Sequence, residues 1–284
     1  MAPDYLIKGI SEKKAKDLEN LGFNLQRYVP QIEQVSEISK SEKSTWIVMP
    51  KGFSKLPYNL AISPGRIAYS LAVEKAGKTL GLHLRNTAED SLYREFVGRV
   101  KWDQAMKLNL LMGNRSLIPR EAVNFWYLLD GGAKGNIAVR TRNGERLKKE
   151  YLKKIKDDMI KIQSPGRGEW LDAIFEKNEN GFYLMSKHVL QNNELVPEYS
   201  EAVMENTLNQ HRMISLESLF KTKNKQGFPT KKTKKGNITY IPPTRDENSV
   251  CISGAGIGWS FIDFLAPPFI ATQSIGIRAA EQLE

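Results

Sequence analysis

The sequence predicts an α+β protein, because helical patterns dominate the middle of the chain while strand patterns gather towards its end. Amphipathic spacing indicates a helix in Gly144–Ile162, and a turn at Asn178–Gly181 between two strand-like runs indicates a hairpin. With 284 residues, of which 40% are hydrophobic, the chain is long enough to bury one large core or two smaller ones.

Residues 1–85 form the first of two predicted regions, a smaller helical or α/β segment. Within it, a turn at Gly9 and Ser11 leads into a helix that ends at Gly22 by a left-handed cap. This arrangement resembles the helix-hairpin-helix motif of DNA-binding proteins, in which backbone amides of a glycine turn bind phosphate. Ser11 replaces the second glycine of that turn and no second copy of the motif follows, so a capped helix that only packs is the simpler interpretation.

Two further elements are expected in this first region. The run Ser44–Phe53 contains a strand that ends at Pro50. The run Ser63–Gly77 is typical of a helix, with Pro64 in its first position.

Residues 86–284 form the second region, which begins with two predicted helices. The first lies in Trp102–Gly113, and the second lies in Arg120–Leu129, where the following Asp-Gly-Gly is expected to end it. The amphipathic helix of Gly144–Ile162 follows, with its lysines on the face that water covers. Its apolar face comprises Leu147, Tyr151, Leu152, Ile155, Met159 and Ile162.

The chain is basic, with 42 Lys and Arg against 32 Asp and Glu and a formal net charge of +10. Much of this charge lies in the amphipathic helix and in the run Lys221–Gly236, which holds seven lysines without an apolar period. We interpret the run as an exposed loop and both lysine-rich segments as solvated surfaces. A phosphate-binding role for the loop stays open.

The sequence contains no convincing catalytic, cofactor or metal motif. Cys251 is the only cysteine and is expected to be a small buried residue, while the histidines lack metal-ligand spacing and are expected to be structural or exposed. Gly254–Gly258 only superficially resembles a dinucleotide fingerprint, because the third glycine is missing and Pro267 and Pro268 would break the required helix. We therefore expect no cofactor, no metal and no enzymatic activity. No apolar run is long enough to cross a membrane, and the N-terminus has no signal-peptide pattern.

The segment Val250–Ala280 differs from the rest of the chain in composition. Between Ile252 and Thr272 its only charged side chain is Asp263, and Lys, Glu, Gln and Met are all absent. A final pair of core strands is the simplest interpretation. It explains the hydrophobicity of the segment better than it explains the loss of these four residue types.

Three separated segments resemble the formylglycine-generating-enzyme subgroup of the C-type lectin fold. Lys101–Phe125 is similar to its helix, Leu-Pro-x-x-Glu loop and second helix, Gly166–Phe175 to its Glu-Trp segment, and Ser274–Ala280 to its terminal Gly-x-Arg strand. The resemblance implies a C-type lectin-like domain over residues 86–284. The enzymes of this subgroup need catalytic cysteines and metal sites, so their activity is not implied for a chain with one cysteine.

Within this subgroup, the chain resembles the variable proteins of diversity-generating retroelements, which occur in phages, archaeal viruses, bacteria and archaea. In those proteins, reverse transcription mutates adenines, mostly at AAY codons, in a region just before the terminal strand. Such codons cannot yield Lys, Glu, Gln, Met or Trp, and between Ile252 and Thr272 only Trp259 belongs to that set. The variable region is therefore expected at about residues 250–280.

Strand alternation predicts which residues of this region vary. If Val250 and Ile252 face inward and the parity resets after Gly258, then Phe261 and Asp263 belong to the scaffold. The residues predicted to point outward and bind ligand are Ser253, Ala255, Ile257, Ser260, Ile262, Phe264, Ala266, Phe269 and Ala271.

The resemblance implies a non-catalytic receptor-binding protein whose partner is a protein or glycan on a host or partner cell. A virion or a cell surface is the implied location, without membrane insertion, and the oligomeric state stays open. Nucleic acid is not the partner that this interpretation expects. The alternative is a nucleic-acid-binding protein that uses the basic surface and the helix-hairpin-helix-like N-terminus.

Overall fold

A computed structural model describes residues 42–82, 84–89, 95–161, 167–179, 181–233, 235–243, 249–255, 260–271 and 275–283. The helix-hairpin-helix-like motif, Ile257 and Trp259 lie outside these ranges. The described residues form a mixed α+β structure with largely antiparallel sheets, which confirms the predicted fold class at this level.

The described residues contain helices of 7 to 16 residues and strands of 2 to 12 residues. The helices are α1 (Leu71–Thr79), α2 (Trp102–Leu111), α3 (Pro119–Lys134), α4 (Lys149–Ile160) and α5 (Leu216–Thr222). The strands are β1 (Ile47–Met49), β2 (Asn59–Ile62), β3 (Arg85–Glu89), β4 (Glu95–Gly98), β5 (Arg140–Thr141), β6 (Arg167–Asn178), β7 (Gly181–Gln191), β8 (Glu194–Ala202), β9 (Arg212–Ile214), β10 (Ile238–Ile241), β11 (Ser249–Ala255), β12 (Ser260–Ala266), β13 (Ile275–Ile277) and β14 (Ala280–Leu283).

The largest described sheet has the strand order β8-β7-β6-β11-β12-β10-β9, and β13 also pairs with β6. Most neighbours in it are antiparallel, but β13 runs parallel to β6 and β10 runs parallel to β12. A smaller sheet has the order β14-β2-β1-β5, and β3 pairs with β4. Because β14 pairs with β2, the last described strand lies beside one of the first.

Helices cover both faces of the large sheet. One apolar core joins α3 and α4 to side chains such as Leu171, Cys251 and Phe264, and the other joins α1 and α2 to side chains such as Trp170 and Ile252. Trp170 and Leu171 are consecutive in β6, so they point to opposite faces of the strand. The central strands are therefore buried on both sides.

The predicted boundary between residues 85 and 86 is wrong, because the compact unit that the structure describes begins at Lys43. Its first two strands belong to the same core as α3 and α4, through Ile47, Met49 and Leu60. Hydrogen bonding between β2 and β14 ties this early segment to the end of the chain. Sequence-local signals contain no information on such a long-range pairing.

The predicted helix over Ser63–Gly77 begins late. The helix α1 starts at Leu71, and the Ser70 side chain caps it by accepting a hydrogen bond from the Val73 amide. The preceding residues are engaged elsewhere, since the Ile67 amide donates to Ile277 O over 2.7 Å and Ile67 O accepts from the Val97 amide over 2.9 Å. Tertiary hydrogen bonds replace the helical ones over this stretch.

The helix predicted over Arg120–Leu129 continues through Gly131 and Gly132, which were expected to end it. It stops at Lys134, and Gly135 caps it with a φ of 81°. A Cβ on Gly131 would lie 2.3 Å from Ile137 Cδ1, and one on Gly132 would lie 2.6 Å from Leu152 Cδ1. The two glycines therefore permit close packing against the helix, and only Gly135 ends it.

The other local predictions are mostly confirmed. The strand before Pro50, the α2 helix and the hairpin closed by the Asn178–Gly181 pair all form. The amphipathic helix forms as α4, with Leu152, Ile155 and Met159 buried. The lysine-rich run is exposed only in part, because its first two residues end α5 and Phe228 is fully buried.

Candidate ligand-binding surface

The segment predicted to be variable contains an antiparallel pair at the centre of the large sheet. Strand β11 lies between β6 and β12, and β12 lies between β11 and β10. The register between β11 and β12 is irregular, since Val250 pairs with Ala266 whereas Ile252 pairs with Asp263. One residue of β11 therefore faces two residues of β12, as in a β-bulge, and the bulge changes which face the following side chains reach.

Four of the nine predicted ligand-binding residues are buried, so their predicted outward orientation is wrong. Ser253, Ile262 and Ala266 are each 2% exposed, and Phe264 is 1% exposed. Phe264 contacts three other aromatic rings, at centroid distances of 4.9 to 5.7 Å. The prediction assumed that one face of this strand pair is solvated, but helices and the aromatic core cover both faces.

The residues predicted to belong to the scaffold are buried in β11 but only partly buried in β12. Val250 and Ile252 are buried as predicted, and Ile275 and Ile277 of β13 are buried as well. In β12, however, Phe261 and Asp263 are only partly buried while their neighbours are in the core, which is the reverse of the predicted parity. Cys251 is fully buried, as expected, and burial raises the pKa of its thiol well above the ordinary value. It is therefore a protonated core residue at neutral pH.

Two predicted residues, Phe269 and Ala271, are exposed as expected. The backbones of Ala255 and Ser260 end the two strands at the hairpin tip, and Ile257 lies between them outside the described residues.

Phe269 lies in a turn, Pro267–Ala271, that the rest of the fold holds in place. The Ile270 amide donates to Pro267 O over 3.3 Å, and the Trp102 amide at the start of α2 donates to Pro268 O over 3.3 Å. Ile270 packs against the core of α1 and α2. Phe269 itself is 70% exposed, so a large apolar ring projects from an anchored turn.

A buried cluster of charged side chains joins β6 to the segment after β13. Arg278 donates to both carboxylate oxygens of Glu169, over 2.9 and 2.6 Å. Arg66 lies 3.5 Å from Glu169 and donates to Asp158 over 2.5 Å, and Arg167 donates to Asp158 over 2.6 Å. A two-point contact between planar groups fixes their relative orientation, so this cluster holds β6 and the chain end in register.

A second polar cluster was not predicted from the sequence. Asp172 accepts from the His188 amide over 3.0 Å and lies 2.5 Å from its Nδ1 atom. Next to His188, Lys187 adopts a left-handed φ of 55° within β7. Its ammonium lies 4.7 Å from the Tyr58 ring centroid and 4.6 Å from that of Tyr199.

Burial and the neighbouring Arg115 lower the pKa of Lys187. A cavity of about 270 Å³ borders Arg115, Lys187 and His188. The cluster draws its residues from distant parts of the chain, and none stands in a recognisable motif. The left-handed lysine, which only the structure reveals, is its strongest individual signal.

Among the described residues, no group of three or more His, Cys, Asp or Glu side chains is close enough to hold a metal ion. No helix there is long and apolar enough to cross a membrane.

Comparisons with protein-family models, with curated proteins and with solved structures found no match for this chain.

Proposed function

We propose that the chain is a non-catalytic ligand-binding protein whose contact surface is the turn Pro267–Ala271 together with the tip of the β11–β12 hairpin. The observation that carries the proposal is Phe269, which is 70% exposed on a turn held by main-chain hydrogen bonds. An exposed aromatic ring on a rigid support is a favourable binding anchor, because little conformational entropy is lost when a partner covers it.

The finer part of the proposal is a C-type lectin-like fold that a diversity-generating retroelement diversifies. Its support is that the three segments with the family resemblance pack on one another. The Asp172 amide in β6 donates to Leu117 O in the loop before α3, over 2.8 Å. Glu169 in the same strand pairs with Arg278, whose carbonyl accepts from Asn109 of α2 over 3.2 Å.

The diversified surface is smaller than the sequence suggests. We assign it to Phe269, Ala271 and the hairpin tip, residues 255–260, and not to the buried positions. A rigid core of aromatic side chains lets exposed residues outside it change without loss of the fold. The ligand is a protein or glycan of a host or partner cell. The role we propose is binding without catalysis, and the buried Glu121, Asp158 and Glu169 are engaged by arginines as in structural ion pairs.

The genomic neighbourhood tests diversification directly. We expect a near-copy of the DNA that encodes Ile252–Thr272, beside a reverse-transcriptase gene and differing from it at adenines. The differing codons should be those of Phe269, Ala271 and the hairpin tip. Absence of the near-copy, or differences that fall mainly on the codons of Ile262 and Phe264, would count against the proposal.

Substitution tolerance tests the contact surface without knowledge of the ligand. Phe269→Ser should change the free energy of unfolding by no more than about 0.5 kcal/mol, because its ring is exposed. The matched change Phe264→Ser should cost at least about 3 kcal/mol, because it empties an aromatic core and buries a hydroxyl. Urea denaturation measures both. Unfolding by Phe269→Ser would show that the ring is structural and would remove the basis of the proposal.

A further inference from the structure

The two lysine-rich segments of the sequence lie on the walls of one groove. The groove has a volume of about 930 Å³ and runs between α3, α4, α5 and the segment before β10. Helix α4 contributes Lys156 and the residue after its end contributes Lys161, while the lysine-rich run contributes Lys221 and Lys235. The sequence gives no reason for these segments to meet, since about 60 residues separate Lys161 from Lys221.

The groove is positively charged. Among the described residues, five lysines and three carboxylates line it, an excess of two positive charges. Two of the carboxylates are engaged by lysines, since Asp130 lies 2.6 Å from Lys134 and 3.2 Å from Lys156, and Glu217 lies 2.6 Å from Lys221. Within the described ranges, Lys161 and Lys235 are exposed and have no ion pair, so both remain available to an anionic partner.

An aromatic pair lies among these lysines. Tyr127, which is 38% exposed, and Phe220 both line the groove, with their ring centroids 4.9 Å apart. The Lys223 ammonium lies 5.6 Å from the centroid of the Tyr127 ring. A basic groove with accessible aromatic rings is the arrangement that binds the backbone and the bases of a single nucleic-acid strand together.

We propose that this groove binds single-stranded nucleic acid, with Lys161 and Lys235 contacting phosphates and Tyr127 stacking on a base. The site lies on α3, α4 and α5 and shares no residue with the turn around Phe269, so it stands independently of the ligand-binding role. A duplex fits the geometry less well, because its stacked bases do not offer a free face to Tyr127. An acidic peptide would use the lysines but would gain nothing specific from the aromatic ring.

Fluorescence anisotropy with a labelled oligothymidylate of about 20 nucleotides tests the proposal on the full chain. The double variant Lys161→Glu/Lys235→Glu should weaken binding at least about tenfold at low salt. It should also flatten the slope of log K against log salt by about 1.4, since each phosphate contact to a single strand contributes about 0.7. The matched control is Lys75→Glu/Lys101→Glu, which makes the same charge change at exposed lysines of the other sheet face and should alter binding by less than about threefold.

Variants of Tyr127 show whether the groove recognises nucleic acid specifically or any anion. Tyr127→Ala should weaken oligothymidylate binding at least about fivefold, whereas Tyr127→Phe, which keeps the ring, should bind within about twofold of the natural chain. Equal effects of the two lysine pairs would show attraction by net charge alone and overturn the proposal. Tighter binding of a duplex of the same length, or no binding of the oligonucleotide at low salt, would also overturn the proposal. The same holds if a polyglutamate peptide binds more tightly than the oligonucleotide and its binding is unchanged by Tyr127→Ala.

Discussion

Three arginines of this chain form ion pairs inside the protein. Arg66 and Arg278 are 2% and 1% exposed, and both contact Glu169. Arg115, in the loop before α3, holds Glu121 by two hydrogen bonds of 2.6 Å. The number of basic residues is therefore a poor guide to partners, because these arginines neutralise buried carboxylates and are not offered to a ligand.

Glu121 predicts a specific dependence of stability on pH. Burial alone would raise its pKa, but the Arg115 guanidinium, the Tyr58 hydroxyl and the Ile118 amide outweigh burial and hold the pKa below its ordinary value. The folded state thus binds the proton less readily than the unfolded state. The stabilisation is fully present above the ordinary Glu pKa of about 4.3 and is lost as the pH falls through the lower, folded value.

Replacing Glu121 by Gln should make this dependence visible. At pH 7 the variant should be less stable, because buried Arg115 loses its charged partner. As the pH falls below about 4.3 towards the lower, folded value, the difference in unfolding free energy between the two proteins should shrink, because the unfolded natural chain then binds a proton that its folded state does not. Urea denaturation of both proteins at a series of pH values measures this difference in unfolding free energy. A difference that stays constant down to about pH 3 would mean that Glu121 does not keep a lowered pKa.

At the scale of elements, short-range signals predicted the structure well and long-range contacts decided the exceptions. The hairpin at Asn178–Gly181 needs only a local turn, and α4 needs only an apolar stripe, so both were predictable. The late start of α1 depends on Ile67 bonding to residues far along the chain. No pattern within Ser63–Gly77 contains that information.

The candidate site was less predictable than the fold, for a physical reason. Strand alternation gives two faces, but it does not say whether either face is solvated. Helices on both sides of the sheet bury Ile262 and Phe264 on one face, and the bulge in β12 moves Ala266 to the other core. Phe269 and Ala271 are exposed because they follow the strand, where alternation no longer applies.

Gly254 belongs to the stretch that resembled a dinucleotide fingerprint, and its role is close strand packing. It pairs with Gly168 of β6. A Cβ at position 254 would lie 2.3 Å from Arg167 O and 2.6 Å from Gly168 Cα, both of which are main-chain atoms that cannot rotate away. A Cβ at position 168 would first meet the Ile252 and Ile275 side chains, at 3.3 and 3.4 Å. The two glycines therefore differ in how strictly they are required.

We expect Gly254→Ala to lower the free energy of unfolding by at least about 2 kcal/mol, because the strands must separate to admit the methyl group. Gly168→Ala is the matched control and should cost about 1 kcal/mol or less, since two flexible isoleucine side chains can shift. Chemical denaturation of both variants measures the contrast. Equal costs would show that the close approach of β11 to β6 does not limit residue 254.

At the scale of the whole molecule, the start and the end of the described unit stabilise each other. In the described ranges, β14 has only β2 as its strand neighbour, and Arg115 and Ala280 exchange main-chain hydrogen bonds of 2.9 and 2.8 Å. The early strands supply Ile47, Met49, Leu60 and Ile62 to the core beneath α3. A protein that begins near residue 85 would lack these side chains, and β14 would lose its neighbouring strand.

Two fragments test this organisation. Residues 43–284 contain every core residue that the structure describes, so this fragment should unfold in one cooperative transition with a midpoint within about 5 °C of the full chain. Residues 86–284 lack β1, β2 and α1, and with them the fully buried side chains of Ile47, Met49, Leu60 and Ile62. Their removal should cost more free energy than the whole stability of a typical domain, which is on the order of 10 kcal/mol. Circular dichroism during heating distinguishes the two. A cooperative transition in the shorter fragment, at the midpoint of the longer one, would restore a domain boundary near residue 85 and show that pairing of β2 with β14 is not needed for folding.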